Sequence, residues 1–290
     1  MPDLKPFIIL GFALGGVYAM SGVGLVILYR ASGVLNLAYG AVSGVSALLT
    51  WTLFIDRGWN QWLAYLVCVL FAGAITWLYG RILGPPLSTR EPLVKATATL
   101  GLLLVLFGSM QWYWGATAHN FVLPTNKQAF VLAGTNVSYT QIIGTLFPIA
   151  LTALVVLFLN TTKTGTAMRA LANDRDATAM LGVPVRRVEG AAWFGSGIIC
   201  GISALLLSQQ IGLDINTQVI IIIPALAAAL IGRLTSIWGT MAGGFVLGIL
   251  QSCATAFASI SEYRSMIPFI VAIPTLLFLA GRKSTQGRIA

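Results

Sequence analysis

Uncharged apolar stretches of about 20 residues recur along nearly the whole chain, and no other feature limits its possible folds so strongly. A hydrocarbon core about 30 Å thick is crossed by roughly 20 residues of α-helix, because a helix rises about 1.5 Å per residue. Of the 290 residues 57% are hydrophobic and 9% are charged, whereas about 25% are charged in soluble domains. The sequence therefore predicts an all-α, polytopic transmembrane helical bundle that forms a single domain over residues 1–290.

Hydropathy places the candidate spans at 7–28, 35–55, 62–83, 97–114, 141–159, 190–209, 219–231, 240–258 and 265–280. The stretch at 219–231 is too short to cross a bilayer as a straight helix, and it contains Pro224. Such a segment is typical of broken or re-entrant backbone that lines a cavity. We therefore expect eight or nine membrane segments.

Basic residues divide unequally between the loops on the two sides of these spans. Thirteen of the 17 Lys and Arg residues fall on one side and four on the other. Cytoplasmic loops of membrane proteins are rich in Lys and Arg, so this division predicts an outside N-terminus and an inside C-terminus. It also accounts for the net charge of +9 without nucleic acid, which we do not expect as a partner. Membrane lipid is the expected surrounding.

Ionisable residues are essentially absent from the interiors of the candidate spans. Proton-coupled carriers and voltage sensors depend on such residues, because their charges carry the coupling. The chain also contains no G-x-x-x-x-G-K-[ST] phosphate loop, no catalytic constellation and no set of metal ligands. We therefore expect neither an enzyme nor a bound cofactor, and the energy for any transport must come from a partner chain.

Uncharged polar residues inside the spans are the candidates for a substrate pathway: Asn36, Tyr39, Ser43, Ser46, Thr99 and Gln251. The first four lie near positions i, i+3, i+7 and i+10, so they form one polar stripe on a helix. Small and hydroxyl residues also serve helix packing in membranes, and this alternative stays open. Asn36 is costlier to bury than Ser, so it needs either a dedicated partner or a wet cavity.

The predicted inner loop at about 160–189 concentrates charged residues more than any other segment. Residues 166–181 are rich in helix formers, while Gly182 and Pro184 form a stop signal. On such a helix Arg169, Asn173 and Asp176 share one face, opposite a mainly apolar arc. The pattern fits a helix that docks on another protein, and it fits a solvated connecting loop equally well.

A short internal similarity links residues 29–33 (YRASG), before the second span, with residues 232–236 (GRLTS), before the eighth. Both segments precede a glycine-rich span that runs from inside to outside. Because transporters are often built from internal repeats, these two segments are candidates for equivalent positions in two halves.

Five segments resemble the LivH-type permeases of branched-chain amino acid ABC importers, and the resemblance covers nearly the whole chain. They are residues 28–40 (LYRASGVLNLAYG), 98–102 (ATLGL), 165–183 with its GTAMRA opening, 224–232 (PALAAALIG) and 236–239 (SIWG). The resemblance implies a multi-pass permease subunit of a prokaryotic inner membrane that translocates branched-chain amino acids. It implies as partners a second, related permease subunit in a heteromeric pair, two cytoplasmic ATPase subunits and an extracytoplasmic solute-binding protein.

By the same resemblance the inner loop is the coupling segment that inserts into a groove on the ATPase. The residues carried over to that role are Gly165, Arg169, Ala170, Asn173, Asp176, Ala177, Leu181 and Gly182.

The chain departs from the family pattern at two places. Tyr39-Gly40-Ala41 stands where many relatives carry His-Gly-Glu or a Gln-Gly pair, and Gly232-Arg233-Leu234 stands where Gly-Gly-Leu is usual. The first departure leaves the solute open, so a urea or short-amide ABC permease is an alternative function. A passive small-solute channel is a further alternative, since it too needs few charges in its spans.

Overall fold

The computed structural model describes residues 4–88, 90–115, 119, 129–132, 135–257 and 261–286. Within these ranges the chain is mostly helical, with α1 (Lys5–Ser32), α2 (Tyr39–Trp51), α3 (Gln61–Leu87), α4 (Pro92–Trp114), α5 (Tyr139–Thr161), α6 (Lys163–Asn173), α7 (Arg175–Met180), α8 (Val185–Ile211), α9 (Ile215–Ile220), α10 (Ile222–Ile231), α11 (Ile237–Ala254) and α12 (Ile267–Gln286). A π-helical turn (Thr52–Asp56) extends α2, and a 3₁₀ helix (Ser261–Met266) precedes α12.

Two short strands, β1 (Ala129–Leu132) and β2 (Thr135–Ser138), form an antiparallel hairpin between α4 and α5. Ala129 pairs with Ser138, and Leu132 pairs with Thr135. Ser138 also caps α5, since its hydroxyl accepts a hydrogen bond from N of Gln141. The all-α prediction missed this hairpin.

Six helices in the described ranges are long and apolar enough to cross a membrane: α1, α3, α4, α5, α8 and α11. They correspond to the spans predicted at 7–28, 62–83, 97–114, 141–159, 190–209 and 240–258. The prediction of a helical bundle with several candidate membrane spans is therefore confirmed.

The other three predicted spans are shorter or interrupted. The one expected at 35–55 begins only at Tyr39, because residues 33–38 are not helical. The one expected at 219–231 consists of α9 and α10, which meet at Ile221. Pro224 lies in the first turn of α10, where its missing N–H is not needed. The third corresponds to α12, and the count of eight or nine membrane segments stays a prediction.

The first helix of the chain lies at the centre of the bundle. Of the 18-residue apolar segment of α1, 72% is buried inside the protein, whereas the corresponding figures are 11% for α4 and 22% for α5. α1 contacts α5, α8, α10 and α11. The exposed apolar faces of α4 and α5 are therefore the ones available to lipid or to a partner subunit.

Glycines allow α1 and α11 to approach each other closely. A Cβ atom added to Gly11 would lie 2.7 Å from Cα of Ile249, and one added to Gly15 would lie 2.8 Å from Cα of Phe245. Gly248 faces the backbone of Gly15 so closely that no side chain fits between them. Without a hydrophobic force between helices in lipid, such close van der Waals contact is what holds them together.

The two ends of the bundle hold different elements. At one end, which we call the coupling end after the predicted coupling segment, α1, α5 and α10 finish and α6 and α7 are located. There Nη1 of Arg30 donates a hydrogen bond to O of Thr235 at 3.2 Å. At the cavity end α8 and α11 finish and α9 and α12 begin. There the backbones of His119 and Leu213 pair through two hydrogen bonds of 2.9 and 3.2 Å.

Candidate functional site

Residues 33–38 form a non-helical connection between α1 and α2 at the coupling end. Gly33 adopts a left-handed conformation with φ of 66°, and its N–H donates to O of Tyr29 at 2.8 Å. The N–H of Val34 donates to the hydroxyl of Ser32. This ending of α1 leads into the non-helical residues 34–38, of which Asn36 is the polar one.

The side chain of Thr99, on α4, completes the hydrogen bonding of this connection. Its Oγ1 accepts from N of Leu37 at 3.0 Å and lies 3.0 Å from O of Leu35, within donating distance. Asn36 is 1% exposed, and its Oδ1 accepts from N of Ala38 at 3.1 Å. Its Nδ2 has no partner among the described residues. The structure thus brings two predicted pathway residues, Asn36 and Thr99, to the start of α2.

The rest of the predicted polar stripe lies on α2 and is buried inside the protein. The hydroxyl of Tyr39 lies 3.4 Å from Oγ of Ser203 on α8, and Oγ of Ser43 donates to Oε1 of Gln218 on α9 at 3.1 Å. Ser46 donates to a carbonyl of its own helix. Tyr39 and Ser43 therefore contact other helices, and Gln218 is a member of this polar group that the sequence pattern did not identify.

Gln251, the sixth candidate, lies apart from the other five. It lines a cavity of about 330 Å³ at the cavity end, bounded by α1, α8, α9, α10, α11 and the start of α12. Gln210 and Arg264 line the same cavity. Sequence reasoning did not select them, because Gln210 stands at a helix end and Arg264 in a predicted loop, where polar residues are ordinary.

In the predicted coupling segment, α6 is fixed to the bundle through small and apolar residues. Thr162 caps its N-terminus by accepting from N of Gly165 at 3.0 Å. A Cβ added to Gly165 would lie 2.5 Å from Cα of Leu159, so only glycine allows α6 to pack this tightly on the end of α5. Met168 and Leu171 are each 5% exposed and join the apolar cluster around α1 and α8.

The single helix expected over residues 166–181 is broken at Asp174. That residue is extended, with φ of −151°, and its Oδ1 accepts from N of Asp176 and N of Ala177 at 3.0 and 2.9 Å. Its carboxylate thus begins α7 as an N-cap, and this local bonding competes with helix continuation. Gly182 has φ of 80°, and Pro184 precedes α8, as the stop signal predicted.

The polar face predicted for this segment is open to solvent. Arg169, Asn173 and Asp176 are exposed, and Nη1 of Arg169 donates to Oδ1 of Asn160 at 3.1 Å. Of the other carried-over residues, Ala170 is half-buried, whereas Ala177, Leu181 and Gly182 are exposed.

At the tip of the segment two large apolar side chains are exposed, and an ion pair holds the helices that carry them. Met180 is 87% exposed and Leu181 is 84% exposed. Arg175 and Glu189 form an ion pair of 3.0 Å that joins α7 to the first turns of α8. The two large apolar side chains are therefore presented on a supported helix pair.

Comparison with known proteins gives consistent results over almost the full length. The family model described as "Branched-chain amino acid transport system / permease component" matches residues 7–276. The high-affinity branched-chain amino acid transport system permease protein LivH of Escherichia coli (strain K12) is 26% identical over 286 residues, covering 93% of this chain and 91% of LivH. The corresponding permease protein BraD of Pseudomonas aeruginosa is 25% identical over 299 residues, covering 96% and 95%.

Among solved structures, PsaBC from Streptococcus pneumoniae in complex with Fab is similar with a TM-score of 0.48 and 16% sequence identity, covering 95% of this chain and 90% of that chain. The family resemblance seen in the sequence is confirmed by the match to residues 7–276, which leaves only the two ends of the chain unmatched. The chain belongs to the family of permease components of branched-chain amino acid transport systems.

Proposed function

We propose that this chain is the membrane-spanning permease subunit of an ATP-driven importer for branched-chain amino acids in a prokaryotic inner membrane. Family membership and the names of the relatives support this proposal. In the proposed assembly the chain pairs with a second, related permease subunit. Two cytoplasmic ATPase subunits and an extracytoplasmic solute-binding protein complete the importer.

The observation that carries the proposal is the exposed tip of the coupling segment. Met180 and Leu181 are adjacent in the chain and almost fully exposed, and a contiguous apolar patch with polar surroundings marks an interaction site. The same segment carries the exposed charges of Arg169 and Asp176, which lipid tails cannot accommodate. A protein groove with an apolar floor and a polar rim fits this combination, and a cytoplasmic ATPase provides one.

The fixed base of the segment makes it suitable for transmitting movement. Met168 and Leu171 bury α6 against the bundle, and the Arg175–Glu189 pair joins α7 to α8. A displacement of the tip by an ATPase therefore moves α8, which in turn contacts α1, α2 and α3. A passive channel has no use for a docked, supported loop of this kind.

The proposed orientation follows from the distribution of the basic residues. With the coupling segment in the cytoplasm, the N-terminus lies outside and the C-terminus inside, and thirteen of the 17 Lys and Arg residues face the cytoplasm. Adding the shorter helices α2, α9 with α10, and α12 to the six long ones gives the proposed eight or nine segments.

The decisive experiment is reconstitution with ATPase, partner permease and solute-binding protein in proteoliposomes, followed by uptake of leucine, isoleucine, valine, urea and acetamide. We expect uptake of the three branched-chain amino acids that depends on ATP. Uptake without ATP would contradict the importer and favour a channel. ATP-dependent uptake of urea or acetamide alone would contradict the substrate and favour the short-amide alternative.

A further inference from the structure

Helices α3 and α8 pack closely against each other and run in opposite directions. A Cβ atom added to Gly201 of α8 would lie 2.8 Å from Cα of Val69, and one added to Gly190 would lie 3.5 Å from Nε1 of Trp77. Later residues of α3 thus face earlier residues of α8. Because α8 begins where the coupling segment ends, this pairing places the last turns of α3 at the coupling end.

Trp77 and Arg81 of α3 form a stacked pair beside α8. Cζ of Arg81 lies 5.1 Å from the centroid of the Trp77 ring. The ring attracts the guanidinium, so Arg81 is less free to turn away than an isolated surface arginine. Both residues are exposed, and tryptophan is enriched where membrane helices reach the interface with water. The pair therefore indicates where α3 meets the membrane boundary.

Two arginines of α8 lie at the same level as Arg81. Arg186 and Arg187 precede Gly190 by four and three residues, so they share its face of α8 and lie one turn nearer the coupling end. Arg81 follows Trp77 by four residues and is likewise one turn nearer that end. Since Trp77 faces Gly190, the three arginines come together at the edge of the contact between α3 and α8.

None of these three arginines has an acidic partner within the described ranges. Glu189, two residues after Arg187, pairs with Arg175 at 3.0 Å, and only 12% of its side chain is exposed. Like charges placed together raise the electrostatic energy unless an anion neutralises them. The arrangement therefore indicates an anionic ligand, and the fork of guanidinium donors matches a phosphate group.

An apolar strip leads from Trp77 into the membrane. Ala74 and Leu70 lie about one and two turns before Trp77 on the same face of α3, and both are exposed. Phe194 lies one turn after Gly190 on α8 and is 39% exposed. The cationic cluster and the strip are thus continuous along the contact between the two helices. An anion that carries a hydrocarbon chain would contact both.

From these features we propose that the edge of the α3–α8 contact is a binding site for an anionic phospholipid. The phosphate of the lipid accepts hydrogen bonds from Arg81, Arg186 and Arg187, and an acyl chain lies along Trp77 and Phe194. With the proposed orientation, this lipid belongs to the cytoplasmic leaflet. The inference goes beyond the proposed function, because it depends on the chain spanning a membrane and not on the transported solute.

Two other occupants fit the surface less well. Free phosphate would pair with the arginines and leave the apolar strip uncovered. An acidic surface of the ATPase could reach the arginines from the cytoplasm, but Leu70 and Phe194 lie further into the membrane than Trp77. A phospholipid accounts for both parts of the surface, since basic pockets between membrane helices bind anionic headgroups.

The test is native mass spectrometry of the full-length chain in detergent, titrated with phosphatidylglycerol or with phosphatidylcholine. Both lipids carry the same acyl chains, and phosphatidylcholine has no net charge. We expect the wild-type chain to retain phosphatidylglycerol at least about tenfold more tightly. Equal retention of the two lipids would overturn the proposal. Displacement of phosphatidylglycerol by equimolar inorganic phosphate would assign the arginines to a free anion instead.

Substitution of the arginines locates the site. Each single variant, Arg81→Gln, Arg186→Gln or Arg187→Gln, should weaken phosphatidylglycerol retention about fivefold, and the triple variant should abolish the preference over phosphatidylcholine. The matched control combines Arg90→Gln, Lys163→Gln and Arg233→Gln, which removes the same charge from exposed positions at the same end. An equal loss of preference in both triple variants would show a general charge effect and contradict the site.

Trp77 tests the geometry rather than the charge. Trp77→Leu removes the ring that holds Arg81, so phosphatidylglycerol retention should fall about two- to fivefold while the net charge is unchanged. Trp62→Leu is the control, because Trp62 is an exposed tryptophan at the opposite end of α3. Wild-type retention in Trp77→Leu would contradict the role of the stacked pair.

Copurification with the ATPase separates this inference from the proposed function. A triple arginine variant that keeps its preference for phosphatidylglycerol but no longer copurifies with the ATPase would assign the arginines to the ATPase and overturn the lipid site. An importer without uptake of any branched-chain amino acid would overturn the proposed function, whereas the retention of phosphatidylglycerol by the isolated chain would stand.

Discussion

Arg30, near the end of α1, and Thr235, between α10 and α11, are joined by a hydrogen bond of 3.2 Å from Nη1 to the backbone carbonyl oxygen. The two residues belong to the segments 29–33 and 232–236, whose similarity suggested an internal repeat. The segments therefore meet at the coupling end, and each leads into a helix that starts there, α2 or α11. The two similar segments are thus in contact, as equivalent positions at the interface between two repeats would be.

The turn around Thr235 predicts a stabilising substitution. Arg233 and Leu234 have positive φ values of 58° and 56°, a conformation that costs a residue with a side chain about 1–2 kcal/mol. Glycine avoids this cost, so Arg233→Gly should raise the midpoint of thermal unfolding in detergent. Arg81→Gly is the control, since Arg81 is exposed within α3, where glycine costs about 1 kcal/mol. A lowered midpoint for Arg233→Gly would show that its side chain matters more than its backbone.

The contact between α1 and α11 predicts strong sensitivity to one added methyl group. Gly248→Ala places a Cβ against the backbone of Gly15, and both helix backbones must separate. We expect loss of monodisperse protein in size-exclusion chromatography. Gly108→Ala, on the exposed face of α4 with no atom within 4 Å of the new Cβ, should keep the wild-type yield or improve it. Equal yields for the two variants would contradict the close packing.

The hydrogen bonds of Thr99 predict that substituting it destabilises the protein more than substituting Thr97 on the same helix. Thr99→Val keeps the shape of the side chain but removes the acceptor for N of Leu37, so the buried connection before α2 should lose about 1–3 kcal/mol. Thr97 is exposed and bonds only to its own helix, so Thr97→Val should be neutral. Thermal unfolding of the two purified variants measures the difference, and a neutral Thr99→Val would remove Thr99 from this structural role.

Charge reversal in the coupling segment should uncouple the importer without preventing membrane insertion. Arg169→Glu places a negative charge on the exposed face that we propose meets the ATPase, and like charges at an interface are strongly unfavourable. We expect leucine uptake to fall by about tenfold or more, as a loss of one charge contact predicts. Arg90→Glu is the control, because Arg90 is exposed at the same end but outside the segment. Normal uptake together with normal ATP hydrolysis in Arg169→Glu would contradict the docking role.

The orientation is tested by labelling single cysteines with a membrane-impermeant maleimide in intact cells. All variants carry Cys253→Ser, because Cys253 is partly exposed and would react, whereas the other two native cysteines, Cys68 and Cys200, are buried. Arg57→Cys should react from outside, and Lys163→Cys should react only after the cytoplasmic face is opened; both residues are exposed. The reverse pattern would invert the orientation and move the coupling segment outside the cell.

Local sequence signals predicted local structure well. Gly182 and Pro184 end the coupling segment, because a left-handed glycine and a proline restrict the backbone locally and do not depend on distant contacts. The break at Asp174 was missed, since an aspartate within a run of helix formers is compatible with an exposed helix position. Its side chain began a new helix instead, and the choice between the two depends on how α6 and α7 pack against the bundle.

For the candidate sites, too, the sequence predicted local features but not the contacts between distant helices. The spacing from Asn36 to Ser46 predicted a polar stripe, because helix geometry puts such positions on one face. Tyr39, Ser43 and Ser46 do lie on α2, whereas Asn36 lies in the non-helical connection before it. The partners of the stripe, Ser203 and Gln218, come from α8 and α9, and no spacing within α2 contains that information. The cavity is a stronger case, since Gln210 of α8 and Arg264 of the 3₁₀ helix before α12 line one cavity only once the bundle has formed.

The central position of α1 has a consequence for biosynthesis. α1 emerges from the ribosome well before its closest neighbour, α11, which lies about 200 residues later in the chain. At translation rates of about 5–20 residues per second, α11 follows roughly 10–40 s after α1. During that interval the glycine-lined face of α1 contacts lipid or an insertion factor instead of Gly248. α11, which is made late, therefore completes the environment of α1, which is made early.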